Sequence, residues 1–236
     1  PYEESKAYEG PCPEINIRPA IGSLSYLAKW RPDIAYAVNK LSREQVNPGP
    51  STMKAVKRII RYLKGTIGKG IDMRRTTMTE QGLVIYSDSD FAKGPKGRST
   101  TGYFLYLWGK IVTFKSKLQK GISQSTCEAE YMAMYNAVIV ALYVKKLLIE
   151  MNQDIGNMTI KIYCDNQAAI KVAGDTMYAG KLRHIATKYY LLQELCKEGK
   201  LKVEYVNTSL NRADILTKAL ARMAHTTHTD RVTISN

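Results

Sequence analysis

With 236 residues, 44% of them hydrophobic, the chain is long enough for one large domain or for one domain and a smaller unit. Its 35 Lys and Arg outnumber its 21 Asp and Glu, and this formal charge of +14 favours a polyanionic partner, most often nucleic acid. No apolar run approaches the ~20 residues that cross a bilayer, so we predict no membrane partner. The four cysteines are scattered and do not indicate a zinc site.

Residues 1–76 are predicted to form a small helical unit. Residues 19–47 have a helical pattern, NPGPST at 47–52 interrupts it, and a further helix covers residues 53–64. That further helix has an apolar face and a basic face, and the basic face carries Lys54, Lys57, Arg58, Arg61 and Lys64 with no acid among them. Five mutually repelling cations favour contact with a phosphate backbone, whereas a solvated charged face is the alternative. The polar segment RRTTMTEQ, residues 74–81, marks the domain boundary.

Residues 77–221 are predicted to form an α/β domain with a mixed sheet. Hairpin-forming strands come first and strand–helix units follow, which is typical of a mixed sheet with helices against its faces. The predicted strands cover residues 82–88, 101–109, 110–117, 159–165 and 201–206, and the predicted helices cover residues 125–151, 166–173, 183–199 and 212–222. The polar residues 222–236 are predicted to be a disordered tail.

Two of the predicted strands end in similar phrases, each closed by an aspartate. LVIYSD ends at Asp88 and IKIYCD ends at Asp165. Either aspartate alone is explained by a turn that follows a strand. However, the first and fourth strands can be parallel neighbours in a mixed sheet, and ligand sites form at the carboxyl ends of such strands. We therefore predict that the two carboxylates lie together.

Glu130 and Asp214 are predicted to complete the group. Glu130 begins the sheet-facing stripe of the long helix, whereas Glu128 lies about 200° away around that helix and suits the surface or a cap. Asp214 opens the last predicted helix, where the helix dipole alone explains an acid. Clustered carboxylates repel, and oxygen ligands without histidine or thiolate suit magnesium or manganese. Two such ions can activate a water and stabilise the leaving oxygen of a phosphodiester, which indicates metal-dependent cleavage of nucleic acid.

Two groups of segments carry a family resemblance. YSDSDFAKGPKGRSTTGYFLYLWGKIVTFKSKLQKGISQSTCEAEYMA is followed by KIYCDNQAAI, RHIATKYYLLQEL and VNTSLNRADILTKAL, and together they resemble the ribonuclease H domain of copia-type LTR-retrotransposon Pol polyproteins. Upstream, AIGSLSYLAKWRPDIAYAVNKLSREQVNPG and AVKRIIRYLKGT resemble the thumb and connection region at the end of the reverse transcriptase. The resemblance covers residues 10–221, most of the chain.

The resemblance implies a fold, an activity and partners. The fold is a ribonuclease H-like mixed five-stranded sheet flanked by helices, preceded by a thumb and connection remnant at residues 1–76. The activity is hydrolysis of the RNA strand of RNA–DNA hybrids during reverse transcription with two Mg²⁺ ions, for which Mn²⁺ can substitute. The four-acid site of the family falls on Asp88, Glu130, Asp165 and Asp214. The implied partners are the hybrid and the rest of the polyprotein, namely reverse-transcriptase fingers and palm and the integrase. The expected location is intracellular, in cytoplasmic virus-like particles and the nucleus.

A catalytically degenerate fragment that binds nucleic acid without cutting it is the alternative. Ala186 and Tyr190 stand where relatives often carry an acid and a histidine, which favours this alternative, whereas the four intact acids favour the enzyme. A nuclease of the integrase type on the same fold is a weaker third reading, because the flanking sequence resembles reverse transcriptase. The polymerase DD motif is absent, so we expect no polymerase activity from this chain alone.

Six further residues are candidates for contact with nucleic acid: Arg98, Lys115, Lys117, Asn166, Gln167 and His184. A polar lead-in to a hairpin explains Arg98 equally well, and a surface position explains His184. Lys115 and Lys117 share one face of a strand by its period of two. Asn166 and Gln167 are predicted to cap the helix after Asp165 and to read 2′-hydroxyl groups. Both tryptophans, Trp30 and Trp108, are predicted to lie in the core.

Overall fold

The chain forms two compact units in the computed structural model, which describes residues 16–74, 82–153, 155, 158–174 and 186–235. The first unit combines the residues up to Asp72 with those from Lys218 onward, and the second comprises Met73–Thr217. The helices and strands, in chain order, are α1 (Arg18–Leu27), α2 (Pro32–Leu41), α3 (Pro50–Lys64), β1 (Lys69–Gly70), β2 (Leu83–Asp90), β3 (Thr100–Leu107), β4 (Lys110–Leu118), α4 (Thr126–Glu150), β5 (Ile160–Cys164), α5 (Gln167–Gly174), α6 (Ala186–Lys197), β6 (Leu201–Tyr205), α7 (Arg222–Val232) and β7 (Ile234–Ser235).

The core of the first unit lies among α1, α2 and α3. Each of these helices has proline at one of its first two positions, where the missing N–H forfeits no hydrogen bond. Their apolar stripes meet in one cluster of buried side chains: Ile21, Leu24, Ile34, Val38, Leu41, Ala55, Val56 and Ile59. This packing leaves the opposite face of α3 to its cations.

A buried ion pair joins the start of α2 to the end of α3. Arg31 donates from Nε and Nη2 to the two oxygens of Asp33, at 2.9 and 2.7 Å, and from Nη1 to the carbonyl of Thr66 at 2.8 Å. Tyr62 donates its hydroxyl proton to Oδ2 of Asp33 at 2.7 Å. Burial, followed by this hydrogen bond, raises the pKa of Tyr62 to about 12. The pair is thus satisfied on both sides, which a buried charge requires.

The prediction of a disordered tail at residues 222–236 is wrong, because α7 and β7 occupy most of that range. β7 pairs antiparallel with β1, and Asp230 forms an ion pair with Lys69. His225 Nε2 lies 3.0 Å from the carbonyl oxygen of Asp33. The buried positions of α7 include the polar residues His228 and Thr229, so its pattern lacks the apolar stripe that predicts a helix from sequence.

The predicted mixed five-stranded sheet of the second unit is confirmed, with the strand order β4-β3-β2-β5-β6. β2, β3 and β4 form an antiparallel meander, whereas β5 is parallel to both β2 and β6. The β3–β4 turn uses Trp108 and Gly109 in left-handed conformations with φ of 50° and 73°, as a tight two-residue hairpin requires. The central strand β2 is buried at every position.

The long helix α4 packs on the sheet and supplies much of the core. Ser125 caps it by accepting a hydrogen bond from the N–H of Glu128 at 3.1 Å. Its buried side chains include Tyr131, Met134 and Val138, which join the sheet residues in one cluster. By length and composition alone α4 is also long and apolar enough to cross a membrane, although charged residues interrupt its apolar run. Core helices of sheet proteins meet the same criterion, and α4 packs its buried residues against the sheet.

Candidate active site

The two aspartates that end similar phrases occupy equivalent places on neighbouring parallel strands. Tyr86 of β2 is in register with Tyr163 of β5, and Asp88 and Asp165 each follow two residues later. The predicted juxtaposition therefore rests on register as well as on strand order. The end of the first strand differs from the prediction: β2 continues past Asp88 to Asp90, so Asp88 is an inner residue of the strand.

Asp214 reaches the two aspartates from a 3₁₀ segment, Arg212–Leu216, and not from the predicted helix over residues 212–222. The side chain of Asn211, fully buried, holds this segment against β2. Its Nδ2 donates to the carbonyl of Ser87 at 2.9 Å, and its Oδ1 accepts from the N–H of Ala213 at 3.1 Å. One residue thus caps the 3₁₀ segment and ties it to the strand that carries Asp88.

The close approach of the 3₁₀ segment also depends on a glycine in β3. Gly102 lies opposite Asp88 in the β2–β3 ladder. A Cβ at this position would lie 2.6 Å from Cγ2 of Thr217 and 2.8 Å from Cβ of Leu216. Because no side chain projects from Gly102, Thr217 comes near enough to donate its hydroxyl proton to Oδ2 of Asp88.

These contacts gather three aspartates into one group. Carboxylate oxygens of Asp88, Asp165 and Asp214 lie within 4.8 Å of one another. Asp88 and Asp214 are buried and Asp165 is half-buried, so one member of the group remains open to solvent. Such a group can hold a divalent cation through oxygen ligands.

Glu130 of α4 adds the fourth carboxylate. Its Oε1 accepts a hydrogen bond from the N–H of Ser89 at 3.0 Å. Its side chain, together with Cys164 and Asp165, forms a second group whose ligand atoms lie within 4.8 Å of one another. Burial raises the pKa of Glu130 well above its usual range, and the charges of Asp88 and Asp165 raise it further. Asp165 therefore belongs to both groups and links all four acids.

Cys164 is a neighbour of the site that sequence reasoning did not assign to it. Its Sγ lies 3.8 Å from Oε2 of Glu130, close enough for a weak hydrogen bond from the thiol. Burial, and then the charge of Glu130, raise the pKa of this thiol, so it stays protonated and donates. The only sequence signal was its position, directly before Asp165.

Two other acids near the site have different roles. Glu128 accepts a hydrogen bond from the N–H of Gln124 at 2.8 Å, which confirms a capping role, but its side chain is buried and does not lie at the surface. Asp90 forms an ion pair with Lys93 at 3.1 Å. Among the described residues, neither acid belongs to the two groups of potential ligands.

The predicted nucleic-acid contacts lie mostly at the surface. All five cations of α3 are exposed, as are Lys115 and Lys117 of the edge strand β4 and Gln167. Lysines on an edge strand also prevent pairing between sheets, which is the structural alternative for these two. Arg98 and Asn166 are half-buried, and Asn166 caps α5 by accepting from the N–H of Ala169 at 3.0 Å, as predicted. His184 lies outside the described residues.

Comparisons with known proteins give sequence relatives and structural neighbours. No protein-family model matches the chain. The chain is 38% identical over 209 residues to the retrovirus-related Pol polyprotein from transposon RE1 of Arabidopsis thaliana, and 36% identical over 216 residues to that from transposon TNT 1-94 of Nicotiana tabacum. These matches cover 88% and 91% of this chain but only 14% and 16% of the two polyproteins. Among solved structures, LC11-RNase H1 isolated from compost is similar with a TM-score of 0.46 and 19% identity, covering 58% of this chain and 94% of that chain.

Proposed function

Because the chain belongs to the family of copia-type retrotransposon Pol polyproteins, we propose that its second unit is a metal-dependent ribonuclease H that cleaves the RNA strand of RNA–DNA hybrids. The observation that carries this proposal is the meeting of Asp88, Asp165 and Asp214, with Glu130 beside them. Four acids in one partly buried place are costly unless cations neutralise them. In a chain of net charge +14 they form a negative site within a positive protein, and the positive charge favours association with nucleic acid.

The residues present fit magnesium. The four proposed ligands are carboxylates, and the pKa of Glu130 is raised by burial and by neighbouring negative charge that a cation would compensate. Two bound Mg²⁺ ions, or Mn²⁺ in their place, would supply Lewis acidity toward a phosphodiester and lower the pKa of a coordinated water. Asp88, Glu130, Asp165 and Asp214 would hold them.

The chain itself supplies orientation. The hydroxyl of Thr217 holds Oδ2 of Asp88, and the N–H of Ser89 holds Oε1 of Glu130. Asn211 fixes the 3₁₀ segment that carries Asp214. Because these side chains are held by neighbours that are themselves buried, the carboxylates need little reorganisation when substrate arrives.

Basic and polar side chains would bind the substrate. The α3 cations and the pair Lys115 and Lys117 would contact phosphates, which carry affinity and make it sensitive to salt. Asn166 and Gln167, which directly follow Asp165, would contact the 2′-hydroxyl groups that distinguish RNA from DNA. We assign the first unit to the end of a reverse transcriptase, with the remaining polyprotein domains as partners. The chain spans only 14% and 16% of the two polyproteins to which it is similar. We therefore propose for it the ribonuclease H reaction alone and none of the other reactions of a polyprotein.

The test is cleavage of a labelled RNA–DNA hybrid by the wild-type chain and by Asp165→Asn. We expect cleavage by the wild type with Mg²⁺, none with EDTA, and at least a hundredfold slower cleavage by Asp165→Asn with hybrid binding retained. Asp90→Asn is the matched control, because Asp90 is a buried acid near the site that belongs to neither ligand group among the described residues.

Two outcomes would overturn the proposal. Cleavage by Asp165→Asn at the wild-type rate would show that the site is assigned to the wrong residues. Retained, salt-sensitive binding by the wild type without any cleavage would favour the degenerate binding module instead.

A further inference from the structure

Two large aromatic side chains lie exposed at the end of α1. Tyr26 is 63% exposed and Trp30 is 58% exposed, so the prediction that Trp30 lies in the core is wrong. Tyr26 belongs to the last turn of α1, and Trp30 follows in the next turn, where its N–H donates to the carbonyl of Leu27 at 3.0 Å. The two rings are four residues apart and are called the aromatic pair below.

The chain directly after the aromatic pair is tied to the end of α3, the helix that carries the basic face. Arg31, which follows Trp30, donates to the carbonyl of Thr66 at 2.8 Å and to its hydroxyl at 2.7 Å. Thr66 lies two residues beyond Lys64, the last cation of that face. The buried contact of Arg31 therefore links the segment that carries Trp30 to the end of the helix that carries the cations.

This part of the chain carries a large share of the positive charge. The first unit, residues 1–72 and 218–236, contains fifteen Lys and Arg and eight Asp and Glu, a net charge of +7 out of the +14 of the whole chain. Among its acids, Asp33 is bound by Arg31 and Tyr62, and Glu44 accepts a hydrogen bond from the hydroxyl of Thr52. The field around the aromatic pair is thus positive, and Lys29 Nζ lies 5.6 Å from the centre of the Tyr26 ring.

Exposed rings beside a row of cations match the chemistry of single-stranded nucleic acid. Such strands offer phosphates to the cations and unstacked bases to the rings, whereas a duplex hides its base faces within the helix. The centres of protein interfaces are instead depleted in charged residues. The surroundings of Tyr26 and Trp30 therefore fit a polyanion with free bases better than an apolar protein surface.

We propose that the first unit binds single-stranded nucleic acid, with bases stacked on Tyr26 and Trp30 and phosphates on the cations of α3. This activity goes beyond hybrid cleavage and does not require the carboxylates of the second unit.

The first experiment uses fluorescence anisotropy to measure the affinity of the full chain for a fluorescein-labelled oligothymidylate of about fifteen nucleotides, in buffer that contains EDTA. DNA and EDTA remove cleavage from the readout, so failure here is separate from failure of the proposed function. We expect Trp30→Leu and Tyr26→Leu each to weaken binding by about fivefold to 150-fold, as loss of one stacked base does. Val46→Ala is the matched control, because Val46 is an exposed apolar residue that lies beyond the opposite end of α2.

The second experiment reads the ring directly. In Trp108→Phe, Trp30 is the sole tryptophan, and stacking of a base on it should quench its emission as the oligothymidylate saturates. Unchanged emission at saturation, or wild-type affinity of both leucine variants, would overturn the proposal. Either result would show that bases do not stack on the aromatic pair.

Discussion

Replacing Gly102 by alanine tests how the 3₁₀ segment reaches the carboxylates. The added Cβ would lie 2.6 Å from Cγ2 of Thr217, 2.8 Å from Cβ of Leu216 and 3.1 Å from the carbonyl oxygen of Ala213. Carbon atoms pack best at about 3.5–4.0 Å, so the segment must retreat by about 1 Å or the strand must bend. Leu216 and Thr217 are fully buried and have no open space to enter.

The expected magnitudes follow from this overlap. Overpacking of a filled core costs about 1–3 kcal/mol, so the free energy of unfolding should fall by that amount. The displaced segment carries Asp214, and a misplacement of about 1 Å in an active site can cost about a hundredfold in rate. Cleavage should therefore fall by more than the loss of folded protein explains.

The assay combines urea denaturation with single-turnover cleavage of an RNA–DNA hybrid at saturating protein. Gly121→Ala is the control, because nothing lies within 4 Å of its added Cβ and Gly121 is outside the left-handed region. Wild-type stability and wild-type cleavage by Gly102→Ala would refute the argument that this glycine permits the close approach.

Three further predictions concern other contacts. Asn211→Ala leaves the carbonyl of Ser87 without its partner, so urea denaturation should show a loss of about 1–3 kcal/mol, and an unchanged midpoint would contradict the role of this bond. Tyr62→Phe removes a hydrogen bond to a charged group, and should lower the free energy of unfolding by about 1.5–3 kcal/mol at pH 8. Folding raises the pKa of Tyr62 from 10.0 to about 12, so the hydroxyl stabilises the fold fully below pH 10 and loses this contribution as the pH rises through 12. A difference in the free energy of unfolding between wild type and Tyr62→Phe that grows over this pH range would contradict the assignment. Lys57→Ala should reduce the slope of log affinity for hybrid against log salt by about 0.9, whereas Lys146→Ala, an exposed lysine of α4, should leave it unchanged.

Local pattern predicted the strands and the placement of Asp88, Glu130 and Asp165, because the periodicity of each segment is a local property. The alternation and apolar content of LVIYSD and IKIYCD indicate strands, and parallel pairing then sets Asp88 beside Asp165. The stripe of small residues that begins at Glu130 turns that side chain toward the sheet. Each of these predictions needed only periodicity and a rule of sheet topology.

Contacts between distant residues could not be predicted in this way. The 3₁₀ segment around Asp214 is fixed by Asn211, which bonds to Ser87 across 124 positions of the chain. The helix α7 is stabilised by packing of polar residues such as His228 and Thr229, which give no amphipathic signal. Trp30 is exposed in the tertiary structure, whereas composition alone favours a buried tryptophan.

Cleavage of a hybrid labelled in turn on its RNA strand and on its DNA strand tests the central claim most directly. The wild-type chain with Mg²⁺ is predicted to shorten the RNA strand only, and to leave DNA duplex and RNA duplex of the same sequence intact. Cutting of the DNA strand, or of the DNA duplex, would contradict the assignment of the carboxylate site to a ribonuclease H.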